Sequence, residues 1–560
     1  MKTLIFNRIV IWCLLVCAAL AVHAAERPGE AGIATAHPLA TEAGHEILAA
    51  GGNAFDAAVA ISAALGVVEP FASGLGGGAF WLLHVADEAT DVFIDAREVA
   101  PGAATADMFL DDTGEPVKGA SFDGPLSAGI PGQAAGLVHL AEKYGRLPLA
   151  TSLAPAIRYA DEGIPVHRRI GSGLRFRRRA AERWPAFGEV FYPDGESLQE
   201  GKLLRQTDLA NTLRRFAEGG RDGFYSGETA RLLVEGNRAA GGIWMLQDFA
   251  DYRVVEREPI SFFYGRVRIL SAPPPSSGGI AIANMLNILK GYDLENLDSA
   301  TRKHLIIESM RRAYRDRTEF LGDTDFTKVP LQRLLDANYA AGQRGSIRAD
   351  RATPSDFLAE ASPVESKGTN TTHFSVLDKE GNRVAGTMSI NSWFGSAFMA
   401  PGTGVILNNE MDDFAIKPGV PNSFGLTGYA ANAIAPKKRM LSSMTPTFLE
   451  GARGIAILGT PGGSRIITMV LLASMAWMEG ASAQEMVDLK RYHHQYLPDQ
   501  VAFEEGAFTE EEKQALEALG HKLTTSRRVY GNMNIVTWDF ATGNVEAVSD
   551  PRGEGEGRVY

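Results

Sequence analysis

The chain has almost no cysteine. Only Cys13 and Cys17 occur in 560 residues, and both lie near the N-terminus. A chain shortened past them could form no disulfide, use no cysteine nucleophile and build no thiolate metal site. Membrane-length apolar runs are lacking too. The N-terminal run, residues 9–22, is uninterrupted for 14 residues, against the about 20 that a bilayer span needs. Lys2 and Arg8 flank its start, and Val22-His23-Ala24 ends it with small residues at the positions a signal peptidase reads. Residues 1–24 therefore read as an export signal, leaving no stable membrane span once removed. Cys17 follows Val16, where a lipoprotein signal needs a small residue. A basic excess is also missing. Without Lys2 and Arg8 the chain carries 53 basic and 67 acidic residues, a net charge of −14. That surface argues against a nucleic-acid partner and is silent about fold. There are no internal repeats, and 45% apolar with 22% charged residues is an ordinary globular composition.

Several motifs lack the member that would give them chemistry. The stretch Ser73-Gly74-Leu75-Gly76-Gly77-Gly78 has no P-loop lysine, and a strand-like run, 79–85, follows where a dinucleotide fold needs a helix. Close backbone approach is the better reading of those glycines. The acidic stretch 407–414 lacks the alternating ligand spacing of a calcium loop. His493 and His494 have no third ligand spaced nearby, so a structural role is expected and no metal. Six arginines between Arg168 and Arg179 alternate with apolar residues at helical spacing, which predicts a solvated amphipathic helix rather than a nucleic-acid patch.

What is present starts with helices. Residues 39–67 interleave alanine with larger apolar side chains and break at Gly51-Gly52-Asn53, which predicts a helix stop and restart. Residues 299–321 read as another amphipathic helix, stopped by Gly322-Asp323. Residues 347–367 are polar and read as a mobile linker. Beyond the linker, residues 372–377 are β-branched and aromatic enough for a strand, 379–382 are turn residues, and 383–390 return. A turn between Glu380 and Gly381 sets Thr371 opposite Ile390, with Ser389 and Asn391 on either side. A threonine hydroxyl needs a base, and one solution is its own α-amine, which titrates near ~7.7–8.0. Thr371 gains that amine only if Asn370–Thr371 is cut.

The blocks TTHFSVLDKEGNRVAGTMSINSWFGS, GVILNNEMDDFAIKPGVPN, KRMLSSMTPT and GTPGGSRII, in that order from Thr371 onward, resemble the small subunit of the γ-glutamyltransferases. Upstream, DAREVAP from Asp95 to Pro101 is similar to that family's DxRExAP stretch. The resemblance implies the fold of the N-terminal-nucleophile hydrolases, an α+β four-layer αββα sandwich. It implies one unit cut into a large chain, residues 25–370, and a small chain, 371–560. Thr371 is then the nucleophile, Ser389 its hydroxyl partner, and Gly462 and Gly463 the oxyanion donors. Arg97, Ser442 and Ser443 grip the substrate α-carboxylate, while Glu410 and Asp413, placed opposite Arg97, take its α-ammonium. Residues 417–436 form a lid in which Phe424 stands where relatives have a tyrosine bonded to the asparagine matching Asn391. The implied substrate is a γ-glutamyl amide such as glutathione, the acceptor water, an amino acid or a peptide, and no metal or organic cofactor is required. Another amidase of this fold, such as a cephalosporin- or glutaryl-type acylase, needs no full clamp. A secreted solute-binding protein and a cell-surface structural protein are the readings from other classes.

Overall fold

The computed structural model describes residues 27–358, 370–526 and 529–560; residues 1–24, expected to be an export signal, and the stretch 359–369 lie outside the described residues. The hairpin around the proposed nucleophile forms from Thr372–Leu377 and Arg383–Ser389, with every residue of both strands buried. Its register differs from expectation by one residue. Thr372 pairs with Met388 and Leu377 with Arg383, so Thr371 comes level with Ser389 and not with Ile390. The cause is the turn. Asp378 N–H donates to Asn382 O at 3.0 Å, and the Asp378 carboxylate accepts from the backbone N–H groups of Glu380 and Asn382. Three residues, centred on Glu380, thus stand between the paired ends instead of two.

This hairpin lies inside a seven-stranded sheet ordered Glu556–Val559, Gly32–Thr35, Thr372–Leu377, Arg383–Ser389, Gly78–Val85, Thr90–Ala96 and Val255–Arg257. A second sheet runs Val545–Ser549, Asn534–Asp539, Gly454–Gly459, Thr447–Gly451, Val267–Ser271 and Ile260–Tyr264. Phe80, Leu82, Phe93 and Ala385 of the first sheet share one apolar core with Ile269, Phe448, Leu458 and Ile535 of the second. The first sheet's other face, with Trp81, Ile94 and Val384, packs on helices that include Ala54–Val68 and Gln133–Lys143. Helices Gly278–Leu289, Ser299–Phe320 and Ile466–Met478 contribute to the core on the second sheet's side. The result is the αββα sandwich.

Local chemistry explains the helix boundaries. Pro38–Ala49 stops before Gly51, and Ala54–Val68 restarts because Asn53 caps it: its side chain accepts from Phe55 and Asp56 N–H while Asp56 accepts from Asn53 N–H. The glycine-rich loop approaches its neighbours as closely as expected. A β-carbon on Gly77 would lie 2.1 Å from Ser389 O, and one on Gly76 2.0 Å from Ile406 O.

Three expectations need correction. The arginine-rich helix Arg168–Arg183 forms, but Arg177 is buried and binds Asp123, Ser392 and the Trp393 carbonyl, because the residue 392–395 turn folds over it. Ser299–Phe320 is not a helix with one solvated face: Glu308, Arg311, Arg312, Asp316 and Arg317 are all buried. Most of these charges are matched inside, as where Glu308 meets Arg311 and Arg312. The described part of the polar stretch is likewise docked. Ser355 N–H donates to Asp499, and Thr353 N–H to Glu308.

Candidate active site

One pocket is lined by Arg97, Thr371, Ser389, Asn391, Glu410, Asp413, Phe424, Ser442, Ser443 and Gly463. Residues far apart in sequence converge because four elements end there. Thr371 precedes the first hairpin strand, and Ser389 and Asn391 finish the second. Arg97 follows the strand Thr90–Ala96, and Glu410–Asp413 is a single 3₁₀ turn. Gly462 (φ +148°) and Gly463 (φ +57°) form the bend into Ile466–Met478, a conformation that favours glycine. Gly462 lies one residue outside the lining. Asn370 also lies outside it and faces the neighbouring cleft with Phe122, Trp393 and Asp412.

The Thr371 hydroxyl donates to the Asn370 carbonyl, so the oxygen and the bond it would attack are already in contact. Thr372, one residue on, is anchored by its hydroxyl to Glu69 at 2.7 Å. Ser389 Oγ accepts from Asn391 N–H at 2.7 Å, and the Asn391 amide donates to Asn409 O at 2.8 Å. Asn391 itself holds φ +73°, a cost compensated by these bonds.

Arg97 and the acids do not stand opposite each other as expected. The buried guanidinium pairs directly with Asp413 at 2.7 Å and Glu410 at 3.0 Å, with Glu98 at 3.5 Å. A lone buried cation would be costly, and these acids compensate it. Burial pulls the Arg97 pKa down, but Glu410, Glu98 and Asp413 together hold it above its ordinary value. Burial, reinforced by Glu410, pushes Glu98 well up. Burial and then Glu410 push Asp413 up to about 7, against the pull of Arg97.

Several contributing residues carried no sequence signal. Asn422 donates to Asp413 at 3.2 Å, Ser423 bonds Asp412, and Gln495 donates to the Phe424 and Gly425 carbonyls at 3.2 Å. These bonds fasten the loop of residues 417–436 even though Phe424 has no hydroxyl. Ser464 Oγ donates to the same Gln495 at 2.7 Å, which ties that loop and the glycine bend together. Arg317 reaches Ser443 from behind. Only tertiary packing reveals any of these.

Acid and histidine clusters elsewhere do not line this pocket. His304, Glu308 and His521 converge, yet Glu308 already pairs with two arginines, a poor setting for a cation. His84, Asp91 and Glu450 also converge, with Arg268 paired to both acids. His493 bonds Thr468 and Gln495, whereas His494 bonds Asp499 and the Tyr496 N–H, so the adjacent rings serve separate structural contacts.

A sequence model of the Gamma-glutamyltranspeptidase family matches residues 40–560. The chain is 43% identical over 531 residues to the glutathione hydrolase proenzyme of Pseudomonas sp. (strain A14), covering 93% of this chain and 92% of that protein. It is 40% identical over 525 residues to the glutathione hydrolase proenzyme of Escherichia coli (strain K12), covering 93% and 90%. Its structure resembles the cephalosporin acylase from Bacillus halodurans with a TM-score of 0.82 at 29% identity, over 95% of this chain and 96% of that one. Taken with the pocket, these likenesses show that the chain belongs to the gamma-glutamyltranspeptidase family.

Proposed function

We propose that Thr371 is a nucleophile made by self-cleavage and that the processed protein transfers γ-glutamyl groups from amides such as glutathione to water, amino acids or peptides. The observation that carries this reading is the pairing of one buried cation with two acids in the pocket that also holds Thr371. A γ-glutamyl donor presents the matching charges, an α-carboxylate and an α-ammonium.

Self-cleavage begins with the Thr371 hydroxyl, already against the Asn370 carbonyl, adding to that carbon. Collapse breaks the Asn370–Thr371 C–N bond and leaves an ester on Oγ and a free α-amine. Water then releases residues 25–370 from 371–560. In turnover the α-amine takes the hydroxyl proton while Oγ attacks the δ-carbonyl of the donor, and Gly462 and Gly463 stabilise the oxyanion through backbone N–H groups. The amine leaves with that proton, and water or an acceptor amine resolves the ester.

Arg97 takes the α-carboxylate with a planar fork, helped by Ser442 and Ser443, and Glu410 and Asp413 take the ammonium. Ser389 positions the nucleophile, Asn391 and Phe424 wall the pocket, and residues 1–24 direct export to the periplasm or medium. The chemistry assigned here uses only side chains and backbone.

The test is direct. Purified protein should run as two bands, the smaller beginning at Thr371 and the larger at Ala25, while Thr371→Ala should run as one inactive band. An active single chain overturns the mechanism. The likeness to a cephalosporin acylase favours a second reading, an amidase for glutaryl-type acyl groups. Such groups lack the ammonium, so faster turnover of glutaryl amides than of glutathione would select that reading.

A further inference from the structure

Resting on the γ-glutamyl reading, we propose that Arg317 is a positioning residue that extends recognition of the donor's α-carboxylate through the Ser443 hydroxyl.

Arg317 lies near the end of the buried helix Ser299–Phe320 and is 4% exposed. Its Nη2 donates to Ser443 Oγ at 3.3 Å and its Nε to Ser277 Oγ at 3.0 Å. Among the described residues no carboxylate lies within ion-pair distance of it, in contrast to Arg97 with three. Burial pulls its pKa down, and Asp413 is the charge that offsets this most. A buried guanidinium whose described partners are two hydroxyl groups is electrostatically incomplete, and an anion arriving at Ser443 completes it.

The direction of the hydrogen bonds sets the chemistry. An arginine can only donate, so Ser443 Oγ must accept from it, which leaves the Ser443 hydrogen to be donated elsewhere. Ser443 lines the pocket, so that donation can be made to a ligand. Accepting from a cation also strengthens the hydroxyl as a donor.

The same arrangement gives a role to the stretch Pro273-Pro274-Pro275-Ser276-Ser277. Ser442 N–H donates to Pro275 O at 2.8 Å, Ser277 N–H to Ser442 O at 2.9 Å, and Ser277 Oγ to Ser442 O at 2.8 Å. Ser276 Oγ donates to Met444 O at 2.7 Å. Ser442 and Met444, on either side of Ser443, are thus laced to this stretch, and Arg317 bonds the stretch and Ser443 at once. The carboxylate meets Arg97 directly and Arg317 through one hydroxyl.

The experiment compares two donors on the processed protein, γ-glutamyl-4-nitroanilide and its α-carboxamide analogue. Wild type should prefer the carboxylate donor in kcat/KM. Arg317→Gln should lower that preference about tenfold, through KM of the carboxylate donor, and leave the carboxamide donor unchanged. Arg317→Lys should lower it less. An equal loss on both donors, or an unchanged preference, overturns the inference. Should Arg317→Gln fail to fold, Arg317→Lys is made in wild type and in Ser443→Ala. Its effect on the preference should vanish in the Ser443→Ala background, and a persistent effect overturns the inference. A wild type with no preference would sink the clamp itself, whereas a preference that survives the Arg317 variants sinks only the role of Arg317.

Discussion

At the scale of single residues, the pocket holds its charges in a knot that, on the proposed function, a donor would untie. Asp413 and Glu410 would then give up Arg97 to the incoming carboxylate and take the ammonium in its place, an exchange of ion pairs in which no buried charge is left alone. Asp413 gives this exchange a pH dependence. Its carboxyl is pushed up to about 7, chiefly by burial and then by Glu410. An acid with a raised pKa in the free protein must lose its proton to pair with an ammonium, so binding releases a proton and weakens as pH falls through about 7. Calorimetric titration of the processed protein with glutamate should therefore show Kd rising from pH 8 to pH 5.5, and Asp413→Asn should flatten the profile. An already flat wild-type profile would refute this account. That Arg97, Glu410, Asp413, Ser442 and Ser443 share one pocket was legible because each sits in a distinctive short motif. Their mutual pairing was not, since a motif shows which groups meet a ligand and not what they do without one. Arg317 was invisible for a related reason: on a helix rich in Arg and Glu, sequence cannot tell a buried guanidinium from a solvated one.

At the scale of elements, the nucleophile hairpin is positioned from both ends. At its turn, Asp378 accepts from Ala54 N–H at 2.9 Å and so locks the loop to the start of the helix Ala54–Val68. At its mouth, Ser389 lies against the glycine-rich loop, where a single methyl group on Gly77 would collide with backbone. Gly77→Ala should cost about 1–3 kcal/mol and slow cleavage at Thr371. Denaturant unfolding of the Thr371→Ala precursor, with and without the substitution, measures the first effect, and a change below the error of the method would rule out tight packing there. Periodicity and β-branching made both hairpin strands and the flanking helices legible nearly to the residue. The one-residue register shift was not, because the Asp378 side chain, rather than the turn's backbone preference, sets the loop length. The loop of residues 417–436 shows the same limit. Phe424 marked a missing hydroxyl, yet the compensating bonds from Asn422, Ser423 and Gln495 come from chemistry that any exposed loop can display.

At the scale of the molecule, both sheets are woven from strands on either side of Asn370. Gly32–Thr35 lies between Glu556–Val559 and Thr372–Leu377, and Val267–Ser271 pairs with Thr447–Gly451. Cutting Asn370–Thr371 therefore breaks no sheet, and separating the pieces would tear two. The two fragments should co-elute in size-exclusion chromatography at 1 M salt, which screens surface charges to about 3 Å but leaves backbone pairing and apolar contacts, and should part only in denaturant. Separation by salt alone would contradict this sheet order. The αββα layering was legible only through the family resemblance, and which strands neighbour one another across the proposed cut is a long-range property that no local pattern contains.

The weave also fixes a moment in the life of the polypeptide. The strand beside Gly32–Thr35 is Glu556–Val559, and Asn534–Asp539 supplies an inner strand of the facing sheet. A ribosome delivers those residues after the hairpin. The hairpin bearing Thr371 is translated well before the strands that confine it, so under the proposed mechanism the threonine must wait for those later strands before its surroundings can turn it against the preceding bond.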